Sequence, residues 1–149
     1  LRSKADRDAV RQGLKEGILD VISTDHAPHT AEEKAGGFVS APFGIVGLET
    51  AAALGYTELV LGGVLTLNGL VEKMSVNPAK VLGIDRGDIS VGKAADVVIF
   101  DPGTVEDRAT FADPLVPPAG IAHVILGGRP ALRDGLVMDD RLGRSVRRE

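Results

Sequence analysis

Cysteine and tryptophan are both absent from this 149-residue chain, and aromatic residues make up only 3% of it. Without a thiol there is no disulfide framework and no thiolate metal centre, so any bound metal must use imidazole, carboxylate or another oxygen ligand. A reducing, cytoplasmic setting fits. No apolar run approaches the roughly twenty residues that cross a bilayer. No basic-apolar-small leader opens the sequence, so neither secretion nor membrane spanning is expected. Strong charge of one sign is also missing. The formal net charge is −4, which gives no general attraction to nucleic acid or to an anionic membrane. The cluster Arg141, Arg144, Arg147 and Arg148 reads as a solvated end. An initiator methionine is lacking too: the chain opens on Leu1, as expected of a piece of something longer. There is no internal repeat and no low-complexity segment.

What is present suits one ordinary core, with 44% hydrophobic and 26% charged residues. Ser3 followed by Asp6 marks a helix start, and Ala9, Val10 and Leu14 recur at helical spacing until Gly17. Ile18 to Ser23 reads as a short, mostly buried strand. Residues 30–44 have loop composition around an exposed-looking Phe38, and a mobile loop is expected there. After Gly44 the pattern predicts a helix with Ile45, Leu48, Ala52 and Ala53 on one side, then a further helix over Thr57 to Leu61. Leu65 to Met74 has helical spacing, and Asn77-Pro78 places a capping residue before a proline suited to a first turn, with Gly83 as the stop. Beyond Gly83 the texture becomes β-rich. Asp96 to Phe100 is a strand, and His123 to Leu126 runs through Gly127-Gly128 into Arg129 to Val137 as a hairpin. The boundary near Gly83 divides the chain into residues 1–83 and 84–149.

The chemistry concentrates in Val21-Ile22-Ser23-Thr24-Asp25-His26-Ala27-Pro28-His29, where an apolar strand runs into a carboxylate and two imidazoles. Ligands sit at the carboxyl ends of parallel strands in barrels and open sheets. Pro28 restricts its own backbone and that of Ala27, which stiffens the turn carrying both histidines. Asp25 at such a place either caps a turn or carries chemistry. Beside His26 and His29 it offers oxygen and nitrogen ligands for zinc, or a base that moves a proton to and from a metal-activated water. His123 reads as a strand residue. One aspartate and two histidines do not make a closed three- or four-ligand site, so this chain alone does not complete one.

Thr24-Asp25-His26-Ala27-Pro28-His29, followed by Glu32-Glu33-Lys34 and by Ala41-Pro42-Phe43-Gly44-Ile45-Val46-Gly47-Leu48-Glu49-Thr50, resembles the C-terminal part of the dihydroorotases. Hydantoinase-like and allantoinase-like cyclic amidohydrolases usually carry another residue at the position of His29. Asn77-Pro78-Ala79-Lys80 and Gly92-Lys93-Ala94-Ala95-Asp96 are similar to the amidohydrolase superfamily at large. The resemblance implies an α/β fold: the C-terminal part of a metal-dependent (β/α)8 TIM barrel in residues 1–83, plus a small β-sandwich subdomain in residues 84–149. It implies that Asp25 is both catalytic and a ligand of one or two zinc ions, shuttling the proton between the attacking water and the ring nitrogen. It also implies that His29 binds the substrate carboxylate or a ring oxygen, and that the main chain at Phe43 and Gly44 binds the pyrimidine ring. The remaining ligands and carboxylate-gripping residues are expected in a missing N-terminal part of the same enzyme, and without it the chain should be inactive.

The implied activity is the reversible cyclisation of N-carbamoyl-L-aspartate to dihydroorotate, with a small-molecule substrate and a homodimer as the working form. Two alternatives stand beside it. One is a noncatalytic scaffold that binds aspartate transcarbamoylase. The other rests on the tail. Phe100-Asp101-Pro102, Val105 to Pro114, Gly120-Ile121 and His123-Val124-Ile125 are similar to N-acyl-D-amino-acid deacylases. The loop from Asp25 to His29 would touch the chemistry and the tail would not, so the loop carries more weight for the substrate.

Overall fold

The computed structural model describes residues 3–110, 112–138 and 141–147. Leu1, Phe111 and Arg148, which entered the sequence reading, lie outside the described residues. Helix α1 (Lys4–Lys15) starts as its sequence predicts: the Ser3 hydroxyl accepts the Asp6 N–H at 3.1 Å, and the Asp6 carboxylate accepts the Ser3 N–H at 3.0 Å. Leu14 is its buried residue, and Gly17 turns the chain with φ +75°.

The expected buried strand over Ile18 to Ser23 is corrected. The segment pairs with no strand among the described residues, and Ile18 is 71% exposed. Its partners come from a helix instead. The Lys73 ammonium donates to Leu19 O (2.6 Å), the Asn77 side-chain amide donates to Asp20 O (3.0 Å), and Ile22 N–H donates to Lys73 O (3.0 Å). A lone extended segment with no sheet on either side must satisfy its main chain this way.

Three further expectations shift. Residues 30–44 contain two single-turn helices, α2 (Ala31–Lys34) and α3 (Gly37–Ser40). The next helix, α4 (Ala51–Gly55), begins later than Ile45 and runs without interruption into a wide π-turn over Tyr56–Leu61, so no separate helix starts at Thr57. Helix α5 (Leu67–Val71) likewise continues through a π-turn at Glu72–Val76 into α6 (Asn77–Leu82), which ends at Gly83 with φ +65°. Asn77 therefore caps nothing with its side chain, which is spent on Asp20 O. The widened turn also explains why Lys73 O is free to take the Ile22 N–H.

The β-rich texture after Gly83 forms one antiparallel meander: β1 (Val97–Phe100), β2 (Ile121–Leu126), β3 (Arg129–Arg133) and β4 (Leu136–Val137), in the order β1-β2-β3-β4. The hairpin at Gly127-Gly128 stands where the sequence placed it, and His123 is a strand residue paired with Ile99 and Arg133. Asp96 ties this sheet to the preceding segment, accepting the Gly127 N–H at 2.7 Å and pairing with Arg86. No parallel strand pair and no second sheet occur among the described residues, so the barrel and sandwich are not displayed by this chain itself.

The core crosses from the helices to the sheet. Ala53, Tyr56, Leu70 and Val105 are buried together, with Ile22, Leu59, Met74, Phe100 and Ile121 packed against them. Tyr56 meets Phe100 edge-on, with ring centroids 5.9 Å apart. Gly120 must be glycine: at φ +75° an added Cβ would lie 2.4 Å from Val105 N. No helix among the described residues is long and apolar enough to cross a membrane.

Candidate active site

The segment Leu19–Ile22, anchored by Lys73 and Asn77, delivers the loop that begins at Thr24. Asp25 follows with φ +50°, a left-handed conformation that a non-glycine residue adopts at a cost and that clusters at functional sites. Its carboxylate is exposed and forms no hydrogen bond or ion pair among the described residues, so it caps no turn here. Of the two readings open at Asp25, the capping one lacks the bond it needs.

The two sequence blocks that carried the family resemblance fold onto each other. Ala27 N–H donates to Ile45 O (3.0 Å), and His26 Nδ1 accepts the N–H groups of Gly47 (2.9 Å) and Leu48 (3.3 Å). An imidazole nitrogen that accepts two amide protons has no lone pair left for a metal, so His26 Nδ1 fastens the loops together. His29 is half-buried, and its Nε2 donates to Phe43 O at 2.9 Å while Nδ1 faces the Glu33 carboxylate at 3.4 Å. Gly44 closes the contact at φ +136°: a Cβ there would stand 2.6 Å from Ala27 O and 3.0 Å from the His29 ring. His29, Phe43 and Gly44 are thus one cluster. Asp25 sits beside it in sequence, with no hydrogen bond or ion pair to any of the three.

The single turn of α2 was not expected from the sequence, although Thr30-Ala31-Glu32-Glu33 has the spacing of a capping box. Thr30 accepts the Glu33 N–H at 3.2 Å, and the Glu33 carboxylate accepts the Thr30 N–H at 2.9 Å. That N–H bond, and then the His29 ring, hold the Glu33 carboxyl below its ordinary range. The turn also brings Lys34 over the second block, where its ammonium donates to Pro42 O (2.8 Å) and Gly44 O (2.7 Å). Sequence reasoning assigned no role to Glu33 or Lys34.

A mainly apolar cavity of about 800 Å³ opens beside these loops, lined by Ile22, Thr24, Gly44, Val46, Leu54 and Met74, with Asp107 and Pro114 from the second half. Asp25 and His29 do not line it. Among the described residues no group of three or more His, Asp or Glu side chains stands where it could hold a metal. The unpartnered Asp25 carboxylate fits the role of a single contributed oxygen ligand, not of a complete site.

The model of the Amidohydrolase family matches residues 1–131. The dihydroorotase of Pelotomaculum thermopropionicum is 56% identical over 114 residues, 75% of this chain and 27% of that protein. The D-hydantoinase (dihydropyrimidinase) of a Thermus species superposes with a TM-score of 0.80 at 28% identity, over 95% of this chain and 34% of that one. A D-aminoacylase, described with a binuclear metal centre, superposes with a TM-score of 0.58 at 35% identity, over 64% of this chain and 20% of that one. This chain spans about a quarter of the length of the curated relatives it matches. The structural likeness implies the TIM-barrel superfamily for the fold. With its two site blocks interlocked and the family model covering most of its length, the chain belongs to the amidohydrolase family.

Proposed function

We propose that this chain is the C-terminal part of a dihydroorotase, which reversibly closes N-carbamoyl-L-aspartate to dihydroorotate. Residues 1–83 would end the (β/α)8 barrel, and residues 84–149 would form part of the β-sandwich beside it. The observation that carries the reading is the joined pair of loops. The same two stretches that resemble dihydroorotases are locked together through His26, His29 and Gly44, next to a strained and unpartnered Asp25.

In this reading Asp25 would contribute one oxygen to hold zinc, and the other ligands would come from the upstream part of the enzyme. Zinc, when bound, supplies Lewis-acid activation of water and of the ring amide. Asp25 carries the proton between the attacking water and the ring nitrogen, as a positioned general base and acid. His29, its ring already oriented by Phe43 O, binds the substrate carboxylate or a ring oxygen. The backbone at Phe43 and Gly44 approaches the pyrimidine ring closely because no side chain stands at Gly44. A reducing cytoplasm suits a chain without cysteine.

A second reading has one observation in its favour: the D-aminoacylase is 35% identical over the part it matches. The two readings separate on substrate. Full-length protein carrying this chain is expected to hydrolyse dihydroorotate with kcat/KM at least about 10²-fold above that for N-acetyl-D-amino acids and for hydantoin, the discrimination a built polar site achieves. Preference for the acylated D-amino acid would replace the dihydroorotase reading with the deacylase one.

A further inference from the structure

Four consecutive carbonyls, from Pro42 to Ile45, are all engaged. Lys34 Nζ donates to Pro42 O and Gly44 O, His29 Nε2 to Phe43 O, and Ala27 N–H to Ile45 O. The N–H groups of Phe43 and Gly44, by contrast, have no hydrogen-bond partner among the described residues. This stretch therefore accepts from the protein and keeps its donors for something else. We propose that Lys34 is a positioning residue for the substrate site, its ammonium clamping the Pro42 and Gly44 carbonyls so that the Phe43 and Gly44 amides are preset to donate to an oxygen of the bound ring. The proposal rests on the dihydroorotase reading for the identity of that ring.

The physical case has two parts. The first is geometry. A single cation bonded to Pro42 O and Gly44 O fixes the Pro42–Phe43 and Gly44–Ile45 peptide planes, and the Phe43–Gly44 plane between them is held by His29 on Phe43 O. Lysine suits this task because its ammonium has three donors that can be aimed separately from one flexible stem, whereas a planar fork is shaped for a carboxylate. Gly44 lies at φ +136°. That region is open to glycine and otherwise soft, so an outside restraint is what holds one conformation. The second part is polarisation. The Pro42 carbonyl and the Phe43 N–H belong to one peptide group, as do the Phe43 carbonyl and the Gly44 N–H. A hydrogen bond accepted by the carbonyl strengthens its own amide as a donor, by roughly 10–30% per bond. With a charged donor on Pro42 O, Lys34 acts on the Phe43 N–H, and His29 acts likewise on the Gly44 N–H.

The role is distinct from proton transfer. Lys34 lies on α2, and its hydrogen bonds to Pro42 O and Gly44 O both go to main-chain carbonyls, so its loss should weaken substrate binding more than the chemical step. The test uses full-length protein with Lys34→Met, which keeps the stem and removes the donors, and with Lys34→Arg, which keeps donors and charge. Lys34→Met is expected to raise KM for dihydroorotate about tenfold or more, to leave kcat within about threefold and metal content unchanged, and to accelerate amide exchange at Ala27 and Gly47, whose N–H groups bond Ile45 O and His26 Nδ1 across the loop pair. Lys34→Arg, which keeps the charge but not the separately aimed donors, is expected to recover only part of the loss in KM. An unchanged KM in Lys34→Met overturns the proposal, as does a fall in kcat with KM constant, because either removes the binding role. The exchange measurement separates this from failure of the functional reading. If the unaltered protein does not turn over dihydroorotate, that reading fails, and unchanged exchange in Lys34→Met then refutes the clamp as well. Accelerated exchange would support the clamp for another amide substrate.

Discussion

Replacing Gly44 by alanine adds one methyl group at the most crowded point of the candidate site, and the structure gives the terms of its cost. The residue has φ +136°, a conformation that costs an L-residue about 1–3 kcal/mol. The new Cβ would lie 2.6 Å from Ala27 O, 2.9 Å from Ala27 Cβ and 3.0 Å from the His29 ring. Two of those neighbours belong to a backbone and a Cβ that cannot rotate away, so overpacking adds about 1–3 kcal/mol. The minimum, about 2 kcal/mol, corresponds to roughly a 30-fold loss if the loop pair must close for turnover. Gly37→Ala is the internal control. It sits in the same loop at φ +72°, but its Cβ would meet nothing within 4 Å, so it carries strain without a clash. In full-length protein, kcat/KM for dihydroorotate should fall at least about 30-fold for Gly44→Ala and clearly less for Gly37→Ala, with metal content the same in both. Equal, small effects from the two would refute the claim that close approach at Gly44 shapes the site.

Other consequences follow from the supporting structure. Asp96 is held below its ordinary range, first by the Gly127 N–H and then by Arg86. A carboxyl depressed in the folded state stabilises above its unfolded value of about 3.9 and loses that contribution as pH falls through the lower folded value. Asp96→Asn should therefore lower the stability read from thermal unfolding at pH 7, by at most about 1 kcal/mol because the pair is exposed, and should flatten the acid limb of the stability curve. An unchanged acid limb would mean that Asp96 does not tie the hairpin down. Lys73→Met removes the donor to Leu19 O and should cost about 1–2 kcal/mol in thermal unfolding, with a smaller loss of activity because the segment leading to Asp25 is no longer pinned. Unaltered stability and activity would show that the helix does not hold that segment. Tyr56→Ala empties the junction between helices and sheet and should cost about 3–5 kcal/mol by calorimetry, against less than about 1 for Tyr56→Phe.

How much of this could be read from the sequence varied with the range of the interaction. Local signals were legible: Ser3 and Asp6 start a helix, Gly127-Gly128 turns a hairpin, and His123 sits in a strand. The joining of the two site blocks was legible only through family resemblance, since no periodicity links His26 to Gly47 across 21 residues. Bonds from Lys73 to Leu19 and from Asn77 to Asp20, across 54 and 57 residues, left no local trace. The strand pattern in Ile18 to Ser23 was sound as a pattern, but a strand needs a neighbour, and none of the described residues provides one. The π-turns after α4 and α5 keep helical spacing closely enough that apolar periodicity reads them as ordinary helix. Thr30 and Glu33 did carry a readable capping pattern. Applied there, it would have placed α2, and with it Lys34.

The central claim is that Asp25 is held ready as a metal ligand and proton carrier, and the most direct measurement pairs turnover with bound metal in full-length Asp25→Asn. The account predicts dihydroorotate hydrolysis down by about 10²–10⁴-fold together with a loss of bound zinc, because one group serves both tasks. Near-normal turnover with a full complement of metal would contradict it.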